Sequence, residues 1–259
     1  MSYKNLIYET DDRIGIIKIN RPEVRNVLNW ETWMELEDVL IRLHSETDIR
    51  VGIITGVGDE AFVAGADLRM LKDRTPQDAV NASKKANEIL LFMESMEEPM
   101  IAAINGWALG GGCEIALACD IRVASEKAQI GQTEVRVGIM PGYGGNVRLM
   151  RLIGPGRAKE MIYTGRIVNA GEAERMGLVN RVIPHERLME EALTMARQIA
   201  QGPASVHLAK RAMFHASQLS LKDALAKDSE IYGEVYKTMD FKEGVTAFLE
   251  KRKPVFRNK

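Results

Sequence analysis

The chain has 259 residues, enough to bury a substantial core as one large domain or as a domain with an appendage. Its 35 basic and 36 acidic residues leave no electrostatic footprint for nucleic acid or an anionic membrane. The longest uncharged run, Pro99 to Cys113, has 15 residues and includes Asn105 and four glycines, short of the ~20 apolar residues that span a bilayer.

MSYKNLIYET contains no charged-then-apolar leader and leads straight into strand-like sequence. Residues 13 to 19, RIGIIKI, are nearly continuous in isoleucine, as suits a strand covered on both faces, and Asn20-Arg21-Pro22 ends it. From Asn29 onward, Trp33, Leu36, Leu40 and Leu43 recur at helical spacing, and RVGIITG reads as a second buried strand. Strand, helix, strand predicts a parallel crossover.

Gly56-Val57-Gly58-Asp59-Glu60-Ala61 fits the GxGxxA pattern of dinucleotide-binding turns. Asp59 and Glu60 would place two negative charges where a pyrophosphate should sit, and no helix follows at once, so a Rossmann site is rejected. In AFVAGADL, residues 61 to 68, Gly65 permits a tight turn and Ala66 is small enough for its N–H to face a ligand. Taken alone, that segment reads equally as a glycine-bearing turn.

Thr75-Pro76 opens a helix with Ala82, Ala86, Ile89, Met93 and Met96 on one face, and Pro99 stops it. MIAAIN is a third core strand and IRVAS a fourth. Residues 13 to 131 thus alternate strand and helix without a regular repeat, a pattern open to either a ββα spiral or an open α/β sheet. From Gly144 the chain becomes mostly helical, with a capping-box-like start at Asn169-Ala170-Gly171-Glu172 and one more strand in LVNRVIP. Residues 186 to 253 read as amphipathic helices whose apolar faces, including Ile231, Val235 and Phe248, need something to pack on. The expected division is an α/β core over residues 1–195 and a helical C-terminal region over 196–259.

The chain is organised around residues 104 to 145. A triple glycine, Gly110 to Gly112, leads into an apolar helix whose first N–H groups have no side chains in front of them. Glu114 follows one turn later, and Glu134 stands in IGQTEV. A carboxylate buried without a partner has a raised pKa, and two such groups on one substrate are what general acid and base chemistry requires. Each glutamate alone would read as a capping or ion-paired structural group. Cys113 and Cys119, six apart on the same predicted helix, point to different faces and fit a reducing, cytoplasmic setting. His44, His185, His207 and His215 have no metal-ligand spacing, and neither GxSxG nor GxxxxGK[ST] occurs.

ALGGGCE, GQTE and PGYGG, with AFVAGADL upstream, resemble the crotonase superfamily, and the two glutamates resemble its enoyl-CoA hydratase branch, over Ile14 to Phe256. The resemblance implies a crotonase-like ββα spiral core with a C-terminal helical oligomerisation region, assembled as trimers or dimers of trimers. It implies hydration of a trans-2-enoyl-CoA, with Glu114 as the base, Glu134 as the acid and the Gly142 N–H holding the water. The N–H groups of Ala66 and Gly111 would hold the thioester carbonyl. Coenzyme A is then part of the substrate, no further cofactor or metal is implied, and neither nucleic acid nor membrane is a partner. Arg25, Ala64, Asp67 and Leu68 fall where coenzyme A contacts are expected, with Arg69 and Lys72 nearby, while Phe248 and Lys251 match positions that reach a neighbouring subunit's coenzyme A.

Thr133 replaces the common Pro, Asn146-Val147 the frequent Thr-Gln, and Trp107 a Tyr or His. Trp107 and Tyr143 are expected to narrow the acyl pocket and favour short or compact chains. An isomerase of the same fold needs only one carboxylate for proton shuttling. An RNA-binding relative would use a lysine-rich N-terminal helix, whereas ETWMELEDVLIR carries four acids and one base.

Overall fold

The computed structural model describes residues 3–257. Leu6–Asp11 (β1) and Ile14–Ile19 (β2) form an antiparallel hairpin in which Leu6 opposes Ile19. Asn29 caps Trp30–Ser45 (α1) by accepting from Thr32 N–H at 2.8 Å, and the helix buries Trp33, Leu36, Leu40 and Leu43. Val51–Gly56 (β3) is buried at every position and runs parallel to β2, as the crossover requires.

The chain then turns sharply into a short strand, Ala61–Val63 (β4), rather than into a helix. Asn105 Nδ2 donates to the carbonyls of Gly56, Gly58 and Ala61, so the GxGxxA segment is a backbone turn closed on a buried side chain. Thr75 and Asp78 form a reciprocal capping box at the start of Pro76–Ser95 (α2). Met100–Ile104 (β5), Trp107–Leu109 (β6), Gly111–Ala118 (α3), Ile121–Ser125 (β7) and Gln129–Gly131 (β8) follow.

From β3 to β8, consecutive strands go to different sheets. One sheet has the order β1-β2-β3-β5-β7 and ends on Arg181–Ile183 (β10), while β4, β6 and β8 join Ile167–Asn169 (β9) in a second sheet of four. This alternation makes the fold a ββα spiral and not an open sheet. The second sheet is built from three-residue strands too short to carry a periodic signal.

Gly145–Ile153 (α4) packs on α3, Pro155–Thr164 (α5) on α4, and Ala170–Arg175 (α6) on β8 and β9. Asn169 caps α6, accepting from Glu172 N–H at 2.9 Å, but the Glu172 carboxylate pairs with Arg166 at 2.8 Å. The start of α6 is therefore a single N-cap and not the expected capping box.

Leu188–Ala200 (α7) lies across β2, β3, β5 and β7, and its Leu188, Ala192, Ala196 and Ala200 close the outer core. The expected division at residue 195 falls inside this helix. Ser205–Gln218 (α8), Leu221–Val235 (α9) and Met239–Leu249 (α10) complete the chain. Ile231 is buried within the chain itself, whereas Phe248 is 83% exposed. Among the described residues, no helix is long and apolar enough to cross a membrane.

Candidate active site

Three close backbone approaches assemble the site. Leu28 N–H donates to Gly65 O at 2.8 Å and Asp67 N–H to Leu28 O at 2.9 Å, so the turn at Gly65, φ +114°, is pinned to the segment before α1. A Cβ on Gly112 would stand 2.1 Å from Val63 O, and only glycine lets the first turn of α3 press this closely on β4. Gly110, at φ +49°, turns the chain into that helix while its N–H donates to Gly131 O. Among the described residues, neither the Ala66 N–H nor the Gly111 N–H donates to a protein acceptor. Both residues line one cleft of about 990 Å³.

Glu114 projects from α3 and is 1% exposed. Its Oε1 accepts from Tyr143 N–H at 2.7 Å and from Gly145 N–H at 2.8 Å, the latter at the N-terminus of α4, where the helix dipole favours negative charge. Burial nonetheless pushes the carboxyl up to about 7; the two N–H donors and the Arg148 charge act in the opposite sense without cancelling it. The site tolerates no extra atoms here. A Cβ on Gly145 would lie 2.5 Å from the Gln132 amide and 3.0 Å from Glu114 Oε1.

Glu134 begins a short 3-10 turn, Glu134–Val137, and is half-buried. Burial first, and then the negative charge of Glu114, push it up to about 7 as well. The fully buried Gln132 faces Glu134 with its carboxamide, and assignment of the nitrogen to that side makes it a donor to both carboxylate oxygens. Cys113, buried beside Glu114, has its thiol pushed well above the ordinary range by desolvation.

Ala64, Ala66, Asp67, Leu68, Gly111 and Gly142 line the same cleft as the two glutamates. Asp67 faces its neighbour Arg69, whose guanidinium donates to it at 2.9 and 2.6 Å and holds the carboxyl below its ordinary value. Trp107 and Tyr143 are also in the wall, and Tyr143 is braced edge-on against Trp33, with ring centroids 5.1 Å apart. Arg25, Phe248 and Lys251 lie outside the cleft of the single chain. Arg25 pairs with Glu60 at 3.0 Å, and its carbonyl accepts from Ala64 N–H.

Several polar groups behind the site went unread in the sequence. Gln132 is one, and Arg148, which donates to Tyr143 O at 2.9 Å and twice to Glu94, is another. Gln132 stands two residues before Glu134 at the end of β8, a polar group in a buried position, and that was its only signal.

The sequence pattern of the enoyl-CoA hydratase/isomerase family matches residues 9–259. The chain belongs to this family. Within it, the chain is 42% identical to the crotonyl-CoA hydratase of Syntrophomonas wolfei over the full length of both proteins. It is also 42% identical to the short-chain-enoyl-CoA hydratase of Clostridium acetobutylicum, covering 98% of this chain and 97% of that one. The solved enoyl-CoA hydratase of Bacillus anthracis is similar at a TM-score of 0.94 and 40% identity, over 99% of this chain and all of that chain. The spiral with its C-terminal helices is the crotonase fold of these family members.

Proposed function

We propose that the protein is an enoyl-CoA hydratase, adding water reversibly to a trans-2-enoyl-CoA to give a 3-hydroxyacyl-CoA. One observation carries the reading: Glu114 and Glu134 face one cleft, each pushed up to about 7, beside the free N–H groups of Ala66 and Gly111.

On this reading the two N–H groups donate to the thioester oxygen, where negative charge develops as water adds at C3; one such donor is typically worth about 3 kcal/mol of barrier. Glu114 has one oxygen immobilised by two backbone N–H groups, which leaves the other to take a proton from a water steadied by the Gly142 N–H. Hydroxide bonds to C3, and Glu134 delivers a proton to C2. Groups that titrate near neutrality can give as readily as they take, which suits a reaction run in both directions. Double-bond isomerisation needs only one of these carboxylates.

Coenzyme A enters as part of the substrate, with Ala64, Asp67 and Leu68 at the cleft and Arg25 beside the cleft-lining Val24 in the chain. Phe248 and Lys251 would reach the coenzyme A of a neighbouring subunit in a trimer or dimer of trimers. Exposed Tyr232 on α9, Tyr236 just after it, and Phe248 and Leu249 on α10 support burial against another copy. Two free, buried cysteines fit a cytoplasmic setting. The aromatic walls at Trp107 and Tyr143, and relatives that bear the names crotonyl-CoA and short-chain-enoyl-CoA hydratase, support short acyl chains.

The test is loss of the conjugated enoyl absorbance of crotonyl-CoA, with Glu114→Gln and Glu134→Gln checked for folding. Each variant is expected to fall by about 10²-fold or more in kcat. Full activity in either folded variant would remove the assigned roles.

A further inference from the structure

We infer that Ser83 is a positioning residue for Glu114, acting through the single peptide unit that joins Gly142 to Tyr143. The inference rests on the proposed role of Glu114 as base.

Ser83 sits on α2, a helix that carries neither carboxylate, and it lines the cleft. Its Oγ donates to the carbonyl of Gly142. That carbonyl and the Tyr143 N–H belong to one planar amide and point in opposite directions. The N–H end donates to Glu114 Oε1 at 2.7 Å. Hydroxyl, peptide and carboxylate therefore form one relay, in which a donor on the carbonyl both orients the plane and polarises the N–H.

Ser83 is itself held in place. Asn87 Nδ2 donates to Ser83 O at 3.0 Å and approaches its Oγ at 3.4 Å, while Asn87 Oδ1 faces Arg148 Nη1 at 3.4 Å. Arg148 occupies the next carbonyl along, Tyr143 O. Both carbonyls that flank Tyr143 are thus gripped from behind, one by Ser83 and one by Arg148. The gripped loop also carries Gly142, the residue assigned to the water.

The charged and titratable groups around Glu114 are Glu134 from the turn after β8, Cys113 on its own helix, and Arg148 on α4 with its α2 partner Glu94. Replacing Ser83 leaves all of them in place. A change in the titration of Glu114 is then assigned to the relay.

Ser83→Ala and Ser83→Thr are to be compared with wild type and Glu114→Gln on crotonyl-CoA across a pH series, with thermal midpoints recorded. With a weaker donor the carboxylate is less stabilised, so in Ser83→Ala the acidic limb of kcat/KM should move up by about half a pH unit. kcat near neutrality should fall about two- to threefold with KM nearly unchanged, and Ser83→Thr should restore both. Independently of turnover, the Glu114 carboxyl carbon, identified in 13C NMR by its absence from Glu114→Gln, should titrate at higher pH in Ser83→Ala. An unchanged carboxyl titration in Ser83→Ala overturns the inference, as does a loss of rate that follows the thermal midpoint and is not rescued by threonine. Absence of hydration by the wild type would instead sink the hydratase reading, leaving the NMR titration to decide on Ser83.

Discussion

Assigned so that its nitrogen faces Glu134, the Gln132 carboxamide donates to Oε1 at 2.8 Å and to Oε2 at 3.1 Å. A donor shared by both oxygens favours the carboxylate and offsets part of the burial that pushes Glu134 up to about 7. Gln132→Leu keeps most of the volume and removes the donor. With Glu134 as the proposed acid, the basic limb of kcat/KM should shift up by about half a unit or more, and dehydration should lose more rate than hydration. Limbs that coincide with wild type in both directions would rule out this coupling.

Glu114 and Glu134 are both raised from 4.5 to about 7 in the folded chain, so the native state holds protons that the unfolded state releases. The stability they contribute is present at low pH and is lost as pH rises from about 4.5 through about 7. Glu114→Gln removes one of these contributions. Thermal melts in a pH series should find the wild type losing ground to the variant between about pH 5 and 7.5. A constant difference in midpoint would contradict the raised value.

Gly112 and Gly156 should respond in opposite senses to alanine. At Gly112 the new methyl would meet Val63 O at 2.1 Å and Val63 Cβ at 2.7 Å, and backbone on both sides cannot yield. A loss of about 3 kcal/mol or more in chemical denaturation is expected. At Gly156, on α5, nothing lies within 4 Å of the new methyl, so alanine should stabilise by about 0.5–1 kcal/mol.

Lys210 is 6% exposed, and its Nζ donates to Met93 O at 3.2 Å, Glu98 O at 2.8 Å and Asp120 Oδ2 at 2.8 Å. It ties α8 to the end of α2 and to the link from α3 to β7. Lys210→Met would leave both carbonyls without this donor and cost about 2–4 kcal/mol. Hydrogen exchange should rise first along α8; uniform protection with an unchanged midpoint would show the tie to be dispensable.

The large sheet was legible because isoleucine-rich β2 and β3 are buried on both faces, which leaves a continuous apolar run in the sequence. The helices from Asn29 and Thr75 were legible from caps and spacing. The second sheet was not, since strands such as Ala61–Val63 and Gln129–Gly131 are too short for periodicity and form only against one another. The glutamates stood out as charges among apolar neighbours. Their supports did not, because Tyr143 and Gly145 serve through main-chain N–H groups that every non-proline residue has, and Ser83 through a contact 59 residues away in sequence. The GxGxxA pattern at Gly56 misleads for the opposite reason, in that a local match says nothing of the Asn105 side chain that fills the turn.

Tyr143 meets Glu114 with its backbone and the cleft with its ring. Substitution can therefore reshape the cleft wall while the amide that grips the carboxylate passes unchanged from one variant to the next. Gly145, two residues along, has no such freedom, since a Cβ there would stand 2.5 Å from the Gln132 carboxamide and 3.0 Å from Glu114 Oε1. Diversification toward new substrates has an open route at residue 143 and a closed one at residue 145.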